Sequence, residues 1–585
     1  MAIRGNRIPF FGHAIVAADG ESRFVKLFPV QERIENGRLG LLDEWKSRPG
    51  YDVATTLDTK MPVRHLAHDT GLVAIAGDGR VFRSDDQSWT TSRELDGTME
   101  GSRLPQSVLH DGLLVATDGG TPMGIETHRV RQLGIRPVTV GAPTVLAVDK
   151  GNLRAATYRY RVSMTTAAGQ TRVGPPSDAV DLNEHELHGV LVSRPAFANE
   201  DDQRTVLAWS IWRESNDTHL VQYVATLDAS VLQYHDTNRD LGETAQPVAD
   251  ASYSYPPKAA HCAVVGDYLV LGGIDDTTIQ WSAPGGHDFW PPSNFTSIPL
   301  GGGSYVSMIG FGKELVIFCG ESTHLFALTG NVDAFERRFT IQKGCMAPAS
   351  VVVVEGDRPY WLGHDGIFYR TKGLEAEPIG PLEQNFVWGL KNPRACEGRV
   401  FLREKVVRWT FPEDGVTLGF NYAKDHFFRD YSWNGSREIP LGINAVCHHN
   451  GTTFVGLSDG RIGTWSDEHQ SDAGMPIRTV RRFSIPLTGD GRRARANSLM
   501  FRHQRGTVVP GEQTTLAMVS WGFDQGPQVA QDGLSAGGLG DTSPYAQFGP
   551  CGVGREMWVQ VERTSTAPFT FTGGMVVAQP LGDGL

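Results

Sequence analysis

The chain is poor in cysteine, in long apolar runs and in catalytic signatures, and each shortage closes off a class of protein. Six cysteines, Cys262, Cys319, Cys345, Cys396, Cys447 and Cys551, are scattered through 585 residues with no C-x-x-C pair. Neither a disulfide scaffold nor a cysteine zinc or redox motif is written into that spacing. Cys319 and Cys447 sit in or beside apolar stretches, where a reduced cysteine serves as a small hydrophobe. No run approaches the roughly 18 apolar residues of a membrane span, and the start MAIRGNRIPFFGH lacks the apolar region of a signal peptide. A soluble chain made in the cytoplasm, with no membrane segment of its own, is the expectation.

Basic charge is also in short supply: 54 Lys and Arg stand against 66 Asp and Glu, a net charge of −12. A surface that binds nucleic acid as a whole needs a basic footprint to displace counterions; local contact with DNA stays open. Walker A, G-x-S-x-G, H-E-x-x-H and strand-following Rossmann glycine patterns are absent. The stretch Ser458-Asp459-Gly460-Arg461-Ile462-Gly463-Thr464-Trp465 comes near the S-x-D-x-G-x-T-W box of glycan-hydrolysing propellers, but its Asp is one place early and its fifth position is not Gly. With one copy, Trp465 reads as a packing aromatic. The carboxylates Glu321, Asp333, Asp425 and Asp430 have no spacing that pairs them. Cys447-His448-His449 could offer at most two groups to one site, because neighbours on a strand point to opposite faces. No catalytic residue, cofactor or metal is therefore expected.

What the chain does have is glycine, proline and short apolar strands. Its 68 glycines and 33 prolines exceed the roughly 12% of average usage. Apolar strands open just after a glycine at Gly71 and Gly112, and again at Gly266, Gly312, Gly356, Gly398 and Gly451, at separations of 41 and then 46, 44, 42 and 53 residues. A strand repeat of about 40–50 residues is the mark of a β-propeller, here of about six or seven blades. Asp78-Gly79, Asp365-Gly366 and Asp459-Gly460 stand between strand-like pieces, as tight hairpin turns require. Leu315–Cys319 and His324–Leu328 form the clearest hairpin.

The rhythm breaks between 141 and 250. Tyr158, Tyr160, Val162 and Met164 alternate with Arg159, Arg161 and Ser163, a half-buried strand, and a polar turn leads to Gly174-Pro175-Pro176-Ser177. That order resembles fibronectin type III sandwiches. The chain thus divides into an N-terminal arm (1–50), a first propeller part (51–140), an inserted fibronectin-III-like sandwich (141–250), a second propeller part (251–470) and a C-terminal β-sandwich (471–585). The last part should hold a long loop at Gln525–Gly554. It also carries a basic cluster, Arg478, Arg481, Arg482, Arg492, Arg493, Arg495, Arg502 and Arg505, against the single acid Asp490. This cluster is the candidate partner interface: an acidic protein, a phosphate surface and a plain solvated strand face all fit it.

The stretch Ser307–Gly344, with its strand pair ending in F-x-L-T-G, a spacer Asn331–Arg338 and then Gln342-Lys343-Gly344, resembles the tail hub or nozzle proteins of short-tailed bacteriophages, the packaged-DNA stabilisation or head-completion family. Lys26-Leu27-Phe28-Pro29-Val30 followed by Ser47-Arg48-Pro49-Gly50 is similar to that family's lead-in. The inserted segment departs from the family's shortest members. The resemblance implies a non-enzymatic protein of the virion tail, assembled in the host cytoplasm. It implies a hexameric ring below the portal and adaptor that extends the DNA channel, retains the packaged genome and conducts double-stranded DNA at ejection, with tail fibre, spike or needle proteins as further partners. A tail-associated propeller that binds or cleaves surface glycans is the alternative.

Overall fold

The structure, a computed structural model, describes residues 6–9, 14–18, 21–25, 33–35, 37–39, 45–134, 141–166, 169–170, 173–183, 188–195, 206–216, 221–237, 256–329, 334–354, 359–488, 491–503, 515–535, 545–565 and 570–581. Nearly all of it is β-sheet. Among the described residues the one α-helix is the short Gln384–Trp388, and no helix is long and apolar enough to cross a membrane. Two compact units emerge: one gathers residues 1–78, 82–94 and 343–585, the other 79–81 and 95–342.

The second unit holds three four-stranded antiparallel sheets of consecutive strands. They comprise Gln106–His110 to Val130–Gln132, His261–Val265 to Phe295–Ser297, and Tyr305–Phe311 to Phe335–Ile341. The expected hairpin is the centre of the last, Glu314–Cys319 against Thr323–Leu328 with Ile317 opposite His324. Its apolar run is continuous because the strand is covered on both sides: Leu315, Ile317 and Cys319 join Ala263, Val270 and Trp281 of the preceding sheet in one core, while Val316 and Phe318 on the other face are buried as well. A strand with one wet face would have alternated instead.

The first unit repeats the pattern with Val352–Val353 to Glu375–Pro378 and Glu397–Phe401 to His426–Asp430, whose facing sides bury Tyr360, Phe368, Trp409 and Phe420 together. Val63–His68 and Leu72–Ala76 form an antiparallel pair here too. A further sheet, Ile443–His449, Thr452–Leu457 and Arg461–Ser466, takes its fourth strand from Gly50–Thr56, with Trp465 opposite Tyr51. Residues about 400 positions apart in sequence are thereby closed into one sheet.

The repeat glycines do their work in the turns. At Asp111-Gly112 and Asn450-Gly451 both residues have positive φ, 46° and 75° in the first and 47° and 75° in the second, the geometry of a type I′ hairpin that matches strand twist. Gly398 departs from the expected role. It lies inside the strand Glu397–Phe401, and the turn that follows is made by Leu402–Glu404 and the left-handed Lys405. Gly398 is small because an added Cβ would meet Val352 Cγ1 at 2.7 Å. Gly356 lies outside the described residues.

Two more sheets of the second unit enclose a core of their own. Thr144–Leu153, His188–Ser193 and Gln233–Asp236 form one, and Thr157–Thr166, Val206–Ser215 and Val221–Asp228 the heart of the other. Tyr158, Tyr160, Val162 and Met164 are all buried in that core, as their alternation predicts, together with Trp209 and Ile211. Ser163 departs from the pattern: it is buried too, taking a hydrogen bond from Trp212 Nε1 at 2.8 Å.

In the C-terminal part of the first unit, Met475–Pro486, Glu556–Ser565 and Thr515–Phe523 face Ala494–His503 and Thr570–Pro580 across Phe483, Leu499, Phe501, Trp521, Val559 and Val576. The span expected as a loop at Gln525–Gly554 is instead partly sheet. Gln528–Ser535 pairs with Thr515–Phe523, and Tyr545–Phe548 and Gly552–Gly554 pair with Ala494–His503. Leu534 and Phe548, buried in the shared core, hold these glycine-rich pieces in register. The N-terminal strand Asn6–Pro9 pairs with this same sheet at residues 575–578, and Trp45 and Lys46 pair with Phe571 and Thr570. These pieces of the arm pack on their own chain; Lys26–Val30 lies outside the described residues.

Candidate functional site

Among the described residues of the first unit lies a buried cluster of charge that spacing did not reveal. Arg48, just before the closing strand Gly50–Thr56, has no exposed surface. Its Nη1 donates to Asp472 Oδ1 at 2.9 Å and to the Pro49 carbonyl at 2.8 Å, and its Nη2 to Asp472 Oδ2 at 2.5 Å and the Tyr431 carbonyl at 3.0 Å. Ser432 Oγ adds a bond to Asp472 Oδ2 at 2.7 Å. Such a fork satisfies the guanidinium on both arms.

Arg408 repeats the device nearby. Its Nε donates to Asp430 Oδ2 at 2.7 Å and its Nη2 to Glu404 Oε2 at 2.9 Å. Its plane lies 4.2 Å from the Phe401 ring centroid and 4.9 Å from that of Trp465. Trp465 Nε1 in turn donates to Glu404 Oε1. Trp465 is thus a packing aromatic with a polar tether, set against Phe401 at 5.1 Å.

Two buried arginines therefore meet three buried carboxylates, and the balance of charge falls on Asp430. Burial pushes its carboxyl above the usual range even though Arg408 and Arg48 pull the other way, and its Oδ1 is buried without a hydrogen-bond partner. For Arg48, burial works against the charge, but Asp472 outweighs it and the guanidinium is held more firmly protonated than usual.

A cleft of about 120 Å³ opens beside this network, lined by Phe401, Arg403, Glu404, Trp465, Asp467 and Glu468, among others. Both oxygens of Glu404 are engaged by Arg408 and Trp465, and Asp467 and Glu468 are exposed at the rim. The arrangement is built to hold three chain segments together: residues 48–56, 401–432 and 465–472.

The arginine cluster does not form one patch. Arg478 is half-buried, paired with Glu438 at 2.9 Å and Glu562 at 2.8 Å. Arg482 lies 4.2 Å over the Trp558 ring. Arg481 is buried, on the inward side of its strand with Phe483 and Ile485, so it is not available to a partner; a run of charge in sequence hides the alternation that turns every second residue inward. Arg492, Arg493 and Arg495 are exposed on the other sheet. Arg502 lies on the described strand Ala494–His503, its side chain outside the description, and Arg505 lies outside the described residues.

His448 is engaged on both ring nitrogens, by Thr453 Oγ1 at 2.9 Å and the Val400 carbonyl at 2.7 Å, and Cys447 is buried. Among the described residues no three His, Cys, Asp or Glu side chains gather as a metal site. All six cysteines are free and buried, and burial pushes the Cys262 thiol up to about 12. Of the four carboxylates singled out, Asp425 pairs with Arg370 at 3.0 Å, Asp430 belongs to the buried network, Glu321 is exposed, and Asp333 lies outside the described residues. A second unforeseen feature is Asp86, whose carboxylate takes hydrogen bonds from Ser84, Thr90 and the backbone of Ser88 and Thr91; it shapes the loop that inserts the fully buried Trp89.

No family model matches the chain, and no curated protein matches it. Among solved structures it is similar to the computationally designed Ika8 protein, with 13% identity over 71% of this chain and 99% of that one and a TM-score of 0.31. It is similar to BamB from Moraxella catarrhalis at 11% identity over 72% of this chain and 98% of that one, TM-score 0.29. Apo AztD from Citrobacter koseri matches at 14% identity over 74% and 97%, TM-score 0.30. Likeness at that level carries no argument about what this chain does.

Proposed function

We propose that the chain is a structural protein of a short-tailed phage tail, a hub or nozzle subunit that forms a ring below the portal and adaptor, extends the DNA channel, and retains and then conducts the genome. The observation that carries this reading is the stretch Ser307–Gly344. It contributes all four strands of one sheet, and its closing Lys343-Gly344 reaches the next sheet of the chain: Lys343 Nζ bonds Asp365 Oδ2 at 3.0 Å and the Gly344 carbonyl accepts from Trp361 Nε1 at 3.1 Å. The stretch that carries the resemblance thus builds one sheet and ties its Lys343 to the sheet that follows.

In this proposal the fold is a β-propeller. Its blades are the six four-stranded sheets and the pair that begins at Val63, seven in all, and the strand Gly50–Thr56 closes the last blade. The segment 141–250 is a fibronectin-III-like insertion and 471–585 a C-terminal sandwich. The protein works without catalysis or cofactor, as a hexamer in the virion, in contact with the adaptor and with fibre, spike or needle proteins. An acidic chain suits a conduit for DNA, since negative walls limit sticking within the roughly 8–10 Å that salt leaves unscreened. Electron microscopy of the purified chain mixed with portal–adaptor complex tests the reading. A ring on the adaptor is the expected result; monomers under every assembly condition would reject it, and turnover of host polysaccharide would favour the glycan-directed alternative.

A further inference from the structure

The C-terminal strands bring together basic side chains that are far apart in sequence. Ala494 stands opposite Gly554 and Arg495 opposite Val553 in an antiparallel ladder, so Arg493 and Arg555, each one residue beyond the ladder's end, flank the same edge. Asp524 sits between them: its Oδ1 accepts the backbone N–H of Arg555 at 2.7 Å and of Glu556 at 3.0 Å, and both guanidiniums act on its charge. Ala494 and Ala496 are buried, which turns Arg495 outward between them.

Arg493, Arg495 and Arg555 are exposed, and among the described residues none of their guanidiniums makes a hydrogen bond or an ion pair. Arg83, Arg131, Arg213, Arg370 and Arg478 all pair with carboxylates, as a surplus of acids over bases makes easy.

We propose that Arg493, Arg495 and Arg555 form a docking surface for a carboxylate-rich segment of a partner protein. Charge complementarity selects the occupant. Guanidinium forks pair bidentately with carboxylates, and three of them suit a short acidic segment. Duplex DNA is the poorer fit, because three guanidiniums would neutralise few of its phosphates. The inference does not depend on the ring proposed above and stands without that reading.

The test uses the full-length chain and a fluorescent oligoglutamate peptide, with a duplex DNA of equal charge as the competing probe, followed by anisotropy at low and physiological salt. The expected result is salt-sensitive binding of the peptide in preference to the duplex. It should weaken by about tenfold in Arg493→Glu/Arg495→Glu and again in Arg555→Glu, and only partly in Arg493→Lys/Arg495→Lys, which keeps the charge and loses the fork. Melting curves unchanged by these exposed substitutions confirm that each variant is folded. Equal peptide affinity in wild type and charge-reversed variants, no peptide binding by wild type, or preference for the duplex would each overturn the proposal. Ring formation on the adaptor is read separately, so its loss or survival leaves this result intact.

Discussion

The chain uses arginine in two opposite ways, and the contrast between Arg48 and Arg493 shows what the fold does with charge. Arg48 is removed from water and its guanidinium is met by both oxygens of Asp472 and two backbone carbonyls. Arg493 is left in water, near the Asp524 carboxylate but with no hydrogen bond or ion pair from its guanidinium among the described residues. A buried pair returns little net stability over an apolar pair of the same shape, yet breaking it is expensive because the surviving charge is stranded. An exposed arginine costs nothing to remove, and its value is realised only when a partner arrives. The first kind specifies where chain segments meet; the second is available for recognition.

The sharpest way to break this contrast is to strand the buried charge. Asp472→Ala should destabilise the first unit by about 3–5 kcal/mol in chemical denaturation. Replacing both members, Arg48→Met with Asp472→Leu, should recover most of that loss. Arg481→Glu should cost about 3 kcal/mol or more, because it reverses a charge on the buried side of its strand, and loss of soluble protein would be its first sign.

Asp430 offers a smaller effect with a definite sign. Its folded carboxyl titrates above the ordinary 3.8, so the folded state holds its proton where the unfolded state has released it. Stability from this group is complete below 3.8 and declines as pH rises from there through the raised folded value. Asp430→Asn should flatten that decline when unfolding is followed across the acid range. The smallest effect belongs to the exposed group: Arg493→Glu/Arg495→Glu should leave unfolding free energy within about 0.5 kcal/mol of wild type.

These two classes were not equally legible. The apolar runs at Leu72–Ala76 and Glu314–Cys319, and the turns Asp78-Gly79, Asp365-Gly366 and Asp459-Gly460, were readable because strand and turn preferences act over a few neighbours. All three turns lie between paired or sequential strands, and each glycine has positive φ. The loop expected at Gln525–Gly554 failed for the opposite reason. Its glycines signal a turn locally, but Leu534 and Phe548 are captured by a core assembled from strands before and after it. Arg481 and Arg482 looked alike as neighbours in a basic run; alternation buried one and laid the other across Trp558.

Local chemistry by itself determined that this protein is made of short strands joined by tight turns, that its cysteines are small hydrophobes, and that a repeat runs through most of its length. Only the tertiary structure decided that Gly50–Thr56 completes a sheet begun near residue 443, that Arg48 finds Asp472, and that Arg555 joins Arg493. Hydrogen-bond ladders and ion pairs form between groups close in space, and neither residue type nor spacing records which distant segments will be brought within 3 Å.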